Sequence, residues 1–230
     1  MYFQHSSEIW TDFPELVPGA LAVNGLSRDV SAVPQIERLN AMAEARLANA
    51  SEGQMPEIQA WRHAFSKMSL KPTQYRCASE SLLRRFRKEH ALPQIHPLID
   101  LCNAVSLAFA IPVAVFDVSR IAGDLEVRYA TGDETYETFS GETESPNLHE
   151  VIFVDDAAHV HARRWTNRQS GLSAIRDSTT NILIVAEAMH DSASEDISRL
   201  LTTLESELDA IWSASSKTAL LDVSSPRFEF

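Results

Sequence analysis

Apolar positions recur at helical spacing through the first half of the chain. Ile36, Leu39, Met42 and Leu47 mark a helix over Pro34 to Asn49, and Ile58, Trp61 and Phe65 mark another over Pro56 to Met68. A third opens at the candidate N-cap Ser79 and runs to about His90, with Leu82, Leu83 and Phe86 on one side. A fourth begins at Pro97 and reaches about Phe109. The period then shortens. Val113–Phe116, Leu125–Tyr129, Tyr136–Phe139, Val151–Val154 and Val160–Trp165 are short strand-like runs separated by Gly and Asp turns. Asn181–Ala188 is almost continuously apolar, as a central strand buried on both faces requires. Ile197, Leu200, Leu201, Leu204, Leu208, Ile211 and Trp212 then form one stripe of a long C-terminal helix over about 194–213.

Helices first, strands next and a closing helix predict an α+β fold, with a mixed or antiparallel sheet flanked by helices. An extended segment over Leu16–Leu26 precedes them, Met1–Gln4 receive no structural role, and the tail from Ser213 reads as partly loose. No boundary divides the chain. The expectation is a single domain over 1–230, with a helical elaboration at about 34–70.

Charge changes the functional picture. Twenty Lys and Arg stand against 32 Asp and Glu, a formal net charge of -12, so any nucleic-acid contact needs a local basic patch. Two cysteines, Cys77 and Cys102, are too few for a disulfide framework or a four-cysteine zinc site, and both read as packing residues. The longest apolar stretch, Ala104–Phe116, is too short to span a bilayer, and no basic-then-apolar leader is present. The expectation is a cytoplasmic protein with no membrane partner.

Familiar catalytic signatures are missing: no nucleophile elbow, phosphate-binding loop, dinucleotide turn or zinc-protease helix. His159 and His161 share a strand face without a third ligand and read as partly exposed histidines, and Asp155-Asp156 reads as a hairpin turn. Neither a metal nor a cofactor is expected. Two segments are richer than a scaffold needs. From Arg76 to Lys88 there are five cations and one anion, Glu80, with Arg84, Arg87 and Lys88 on one helix face. That set suits phosphate oxygens, or is a solvated helix face. The second is Arg163-Arg164-Trp165-Thr166-Asn167-Arg168-Gln169-Ser170, whose arginines suit phosphate or carboxylate and whose tryptophan suits stacking.

The run Leu92-Pro93-Gln94-Ile95-His96-Pro97-Leu98-Ile99-Asp100-Leu101-Cys102-Asn103-Ala104-Val105 resembles a stretch of the B3/B4 editing domain of the phenylalanyl-tRNA synthetase β subunit. Ile111–Asp117 with Arg120-Ile121, Asp124–Arg128, Gly132–Glu134, Phe139–Gly141, Val154–Asp156 and Asp177–Asn181 leading to Glu187 continue that resemblance in order, over about Thr73 to Met189. Free-standing B3/B4 proteins carry a similar Arg-Arg-Trp-x-x-Arg-Gln segment. The resemblance implies a pocket for the aminoacyl 3′ end of tRNA and hydrolysis of a wrong amino acid, without aminoacylation. It implies catalytic roles for Asn103 and Arg164, and substrate contacts from Glu187, Trp165, Asn167, Arg168, Gln169 and Tyr75. RNA would lie along Arg76, Arg84, Arg87, Lys88 and Arg163. Ala114 and Cys102 stand where the family carries a histidine and a threonine. Asn103 and Glu187 are expected to share one cavity. A non-catalytic amino-acid or tRNA-end binding module is the alternative.

Overall fold

The computed structural model describes residues 1–230 and places them in two sheets and six α-helices. The larger sheet contains β1 (Tyr2–His5), β4 (Leu125–Tyr129), β5 (Thr135–Glu137), β6 (Thr143–Glu144), β7 (Val151–Asp155), β8 (His159–Arg163) and β12 (Arg227–Glu229), in the order β12-β1-β4-β7-β8-β5-β6. A short β9 (Arg168–Gln169) adds to β8 as a hairpin. The β1–β4 and β5–β8 pairs are parallel, and the remaining pairs are antiparallel. The smaller sheet is fully antiparallel, in the order β11 (Ser216–Leu220), β2 (Val17–Val23), β10 (Ile182–Ala188) and β3 (Val113–Asp117). The α+β class expected from the sequence holds, with the strands divided between two sheets.

β10 explains how the layers stack. Its seven residues are all buried, because the sheet is covered on both faces. Alternation sends Ile182, Ile184, Ala186 and Ala188 into a core shared with helices, and Leu183 and Val185 into the other core. The helical core is filled by α2 (Val33–Asn49), α5 (Pro97–Phe109) and α6 (Ala193–Trp212) through Leu39, Leu101, Val105, Ile197, Leu200 and Leu204. The opposite core lies between the two sheets. It takes Phe153 from β7, Leu125 from β4 and Phe3 from β1, and it is closed by α3 (Pro56–Lys67) through Trp61 and Phe65 and by α4 (Ala78–Glu89) through Leu83 and Phe86. The parity of β10 assigns Glu187 to the inter-sheet side, two residues beyond Val185. Gly19 on β2 lets α6 lie close, since a Cβ there would come within 2.6 Å of the Ile197 methyl.

Three segments differ from the sequence expectation. Met1–Gln4, given no role, contains most of β1, with Phe3 wholly buried. A short α1 (Ser7–Asp12) follows it, capped by Ser6. The tail after Ser213 forms β11 and β12, pairing with β2 and β1. The strands among them pair with partners more than a hundred residues away, so local pattern carries little trace of them.

α5 starts at Pro97 and is capped by His96, whose Nδ1 accepts from the Leu98 N–H at 3.2 Å. Only a neutral imidazole can accept there. Desolvation, with Arg28 adding to it, holds the His96 pKa below the ordinary 6.5. A base with a depressed folded pKa contributes stability that is complete above the unfolded value and lost as pH falls through the folded one. Stability should therefore decline below about pH 6.5 by up to about 1 kcal/mol, the size of one N-cap. His96→Asn keeps a cap but cannot titrate. Urea denaturation between pH 7.5 and 5 should show a flatter pH dependence for this variant, and identical slopes would remove His96 as the cause.

Candidate functional site

A narrow cleft with a cavity volume of about 60 Å³ opens between the sheets. β3 contributes Val113 and Ala114, β10 contributes Val185 and Glu187, and β7 and β8 contribute Phe153 and Ala162. Ala78 at the start of α4 and the segment Trp165–Gln169 complete it. The cleft is mostly apolar, and its polar groups are concentrated on Glu187 and the β8–β9 hairpin.

Glu187 is 2% exposed. A carboxylate so placed needs donors. Both that it finds converge on Oε1: His5 Nε2 at 2.7 Å and Trp165 Nε1 at 2.9 Å. Trp61 Nε1 adds a bond to the Glu187 carbonyl at 3.2 Å. Oε2 has no protein partner and is not sealed in, so it is the oxygen left for the cleft.

The β8–β9 hairpin carries the remaining polar groups. Its turn places two consecutive non-glycine residues in the left-handed region, Arg164 at φ 46° and Trp165 at φ 58°. Such residues cost about 1–3 kcal/mol each unless their surroundings over-determine them. Here the Trp165 N–H donates to the Val151 carbonyl at 2.7 Å and the Arg164 N–H to Glu150 Oε1 at 3.1 Å. The Thr166 carbonyl accepts from the Ala78 N–H at 2.8 Å, and Asn167 Nδ2 donates to the Arg76 carbonyl at 2.7 Å. Gln169 Nε2 reaches the Val115 carbonyl at 2.6 Å and stitches one sheet to the other. The twist turns Trp165 inward, against Phe13 and Trp61 with ring centroids 4.8 and 5.2 Å away.

The structure thus brings Glu187, Trp165, Asn167, Arg168 and Gln169 to one cleft. It separates others. Asn103 lines a different groove, between α2 and the Ala91–Gln94 segment, and shares no wall with Glu187. The expected Asn103–Glu187 cavity is not formed. Leu101, Cys102, Ala104 and Val105 of α5 all face the core, and Asn103 points off that stripe. Arg164 lies over the Tyr75 ring at 5.0 Å, and neither lines the cleft. Trp165 is wholly buried and presents no face for stacking on a base. Arg163 is 4% exposed and cannot meet RNA; it is consumed by Glu150 through two bonds of 2.8 and 2.9 Å and by Glu144 at 2.6 Å.

The cationic face is real but partly neutralised. Arg84 and Arg87 both reach Glu52, at 3.3 and 3.1 Å, and Arg76 reaches Glu80 at 3.4 Å. Arg84, Arg85, Arg87, Lys88 and Glu89 line one shallow, wholly polar depression. The thiols are inert: burial pushes Cys77 up to about 11 and Cys102 up to about 12.

Two other clusters imitate chemistry. Ser173 Oγ lies 2.8 Å from His161 Nδ1, whose Nε2 lies 3.2 Å from Asp155. Ser173 and His161 are wholly buried, which corrects the expectation of a partly exposed His161, and no substrate can reach them. Asp155 also accepts from the Ala157 and His159 N–H groups, which makes it the anchor of the β7–β8 turn. Glu57, His190 and Asp196 bring ligand atoms within 4.8 Å of one another. Arg46 holds Glu57 Oε1, and Ser192, Arg199 and His190 occupy Asp196, while Glu57 Oε2 and His190 Nδ1 are buried without a partner.

The B3/4 domain family matches residues 60–210. The chain belongs to the B3/4 domain family. All of the cleft's lining residues fall inside the matched span. This B3/4 chain is similar to phenylalanine–tRNA ligase beta subunits. It is 28% identical to that of Thermobifida fusca over 76% of its own length and 21% of that subunit's. It is 23% identical to that of Neisseria meningitidis over 72% of its own length and 21% of that subunit's. The B3/4 chain therefore spans about a fifth of the length of these relatives. An N-terminal fragment of the Pyrococcus horikoshii phenylalanyl-tRNA synthetase β-subunit aligns in structure with TM-score 0.49 and 10% identity, over 96% of this chain and 54% of that one. No helix is long and apolar enough to cross a membrane.

Proposed function

We propose that the protein removes amino acids from mischarged tRNA in trans, by hydrolysing the ester at the 3′ end. The observation that carries this reading is Glu187: a buried carboxylate with one oxygen held by two donors and the other left to the cleft. An α-ammonium group is the complement of that oxygen, and the ester carbonyl would then lie among Ala114, Thr166 and Asn167. An aminoacyl ester is already activated, so positioning and oxyanion stabilisation suffice. No histidine, serine or cysteine lines the cleft. Glu187, the one carboxylate of the cleft, is assigned to the ammonium, so the neighbouring ribose hydroxyl of the terminal adenosine activates the water. The limited free volume, with Trp165 closing one wall, favours a small side chain over an aromatic one. The same lack of a protein base favours, as the second reading, amino-acid or tRNA-end binding without hydrolysis.

A deacylation screen over tRNAs charged with each amino acid tests the proposal. Release of a small amino acid with multiple turnovers supports it. Tight binding of charged ends without release selects the second reading.

RNA affinity should be modest and salt-sensitive. Reversal of Arg84 or Arg87 would strand the buried Glu52, so the informative variant is Arg85→Glu with Lys88→Glu. If tRNA lies on this face, the slope of log affinity against log salt should flatten by about one for each phosphate interaction removed. An unchanged slope in filter binding would take the face out of the tRNA path.

A further inference from the structure

We propose that His5 is a positioning residue for the site: the N-terminal strand carries it from outside the B3/4-matched span to orient Glu187 and leave that carboxylate a net negative charge for a cationic ligand group. This rests on the reading of the cleft as an aminoacyl site.

His5 lies at the end of β1, paired beside Val127 of β4, and is 3% exposed. It lies well before residue 60, where the family match begins. Its Nε2 is 2.7 Å from Glu187 Oε1. Its Nδ1 is buried and has no hydrogen-bond partner. That orphan atom disfavours a second ring proton. A doubly protonated imidazole would bury a charged N–H with nothing to accept it, which is costly. A neutral ring with its proton on Nε2 leaves only an unused lone pair. The surroundings agree: Phe3 packs edge-on at 5.2 Å, and Trp10 lies at 5.2 Å with its own indole N–H unpartnered. Neither ring offers Nδ1 an acceptor, since an indole nitrogen only donates.

The consequence is electrostatic. With its ring neutral, His5 joins Trp165 in giving Glu187 two donors and no counter-charge. Arg168 is the cation of the cleft wall, and it is paired with Glu144 at 3.1 Å. The charge of Glu187 is therefore unspent until a ligand supplies a cation, and two bonds on Oε1 fix the direction in which Oε2 presents it. A primary ammonium fits this requirement. A hydroxyl or an acyl group without nitrogen does not.

The test uses the full-length protein and two substitutions. His5→Gln retains an N–H donor at about the Nε2 position, and His5→Leu fills the space without one. The probes are 3′-amide analogues of alanyl- and seryl-adenosine, which cannot be hydrolysed, each beside a counterpart with hydroxyl in place of the amino group. Calorimetry should show that the wild type prefers the amino analogue by tenfold or more, roughly the size of one charge-assisted contact. His5→Gln should keep that preference, and His5→Leu should lose it by roughly tenfold with less change for the hydroxyl analogue. A His5→Leu protein with the wild-type preference overturns the proposal while leaving the aminoacyl reading intact. A wild type that neither binds the analogues nor deacylates any charged tRNA overturns both. If His5→Leu does not fold, imidazole nitrogen NMR of the wild type decides. A neutral His5 protonated at Nε2, shifted by the amino analogue, supports the proposal, and a doubly protonated ring at neutral pH overturns it.

Discussion

Glu187→Gln is expected to weaken binding of a charged tRNA end by about 30- to 100-fold, or roughly 2–3 kcal/mol. The glutamine oxygen can keep the bonds from His5 Nε2 and Trp165 Nε1, so the wall of the cleft should survive. What changes is the atom facing the cleft: an anionic acceptor becomes an amide donor, which an ammonium group cannot use. Because an ammonium is bound in the ground state and the transition state alike, the loss should fall mainly on KM. Steady-state deacylation alongside calorimetry with the amide analogues would separate the two. Equal KM values for the two proteins would remove Glu187 from substrate recognition. Glu187 would then be free to serve as the base of the hydrolytic step.

Arg163→Met should cost about 3–5 kcal/mol of folding stability, the penalty for removing one partner of a buried charge pair. Arg163 holds Glu150 with two bonds, and burial of that glutamate would otherwise raise its pKa; the bonds from Arg163 prevail and hold it below the ordinary carboxylate range. Without the guanidinium, Glu150 is a buried anion, and its Oε1 also anchors the Arg164 N–H at the strained turn. The loss should therefore appear in urea denaturation and also loosen the Trp165 wall. A double substitution with Glu150→Gln should recover part of it, since it removes the stranded charge. A single variant with wild-type stability would show that the triad carries no net energy. A phosphate-binding role predicts the contrary pattern: intact stability and a reduced salt slope.

The elements behind these outcomes differ in how far the chain alone discloses them. α5 runs from Pro97 to Phe109 as the pattern predicts, because a proline start and a continuous apolar face act locally. β10 is legible as a central strand, because a run apolar on both faces has few other homes. The density of hydrogen-bonding side chains in Arg163–Gln169 marks an unusual segment. Its internal division is not legible. Ala162 of β8 lines the cleft, so alternation turns Arg163 to the opposite face, where Glu150 and Glu144 bury it, and the turn then leaves Arg164 outside and Trp165 in the core. Neither position is glycine or asparagine, so nothing in the residue types announces a left-handed pair. Asn103 falls beside buried neighbours in the sequence, but a helix turns about 100° per residue, enough to carry it to another groove.

His5 shows the limit most directly. A histidine just after the N-terminal stretch given no role has no local signal, and its partner Glu187 is separated from it by 182 positions. Sequence determined the elements whose stability is local, together with the sign of the charge and the types of residue available for chemistry. Tertiary structure alone decided which charges cancel, as Arg163 with Glu150 and Arg84 with Glu52, and which carboxylate faces the cleft, as Glu187. The reason is physical: helix and strand preference arises from neighbours a few residues apart, whereas the energy of a buried charge depends on every donor that the fold brings to it.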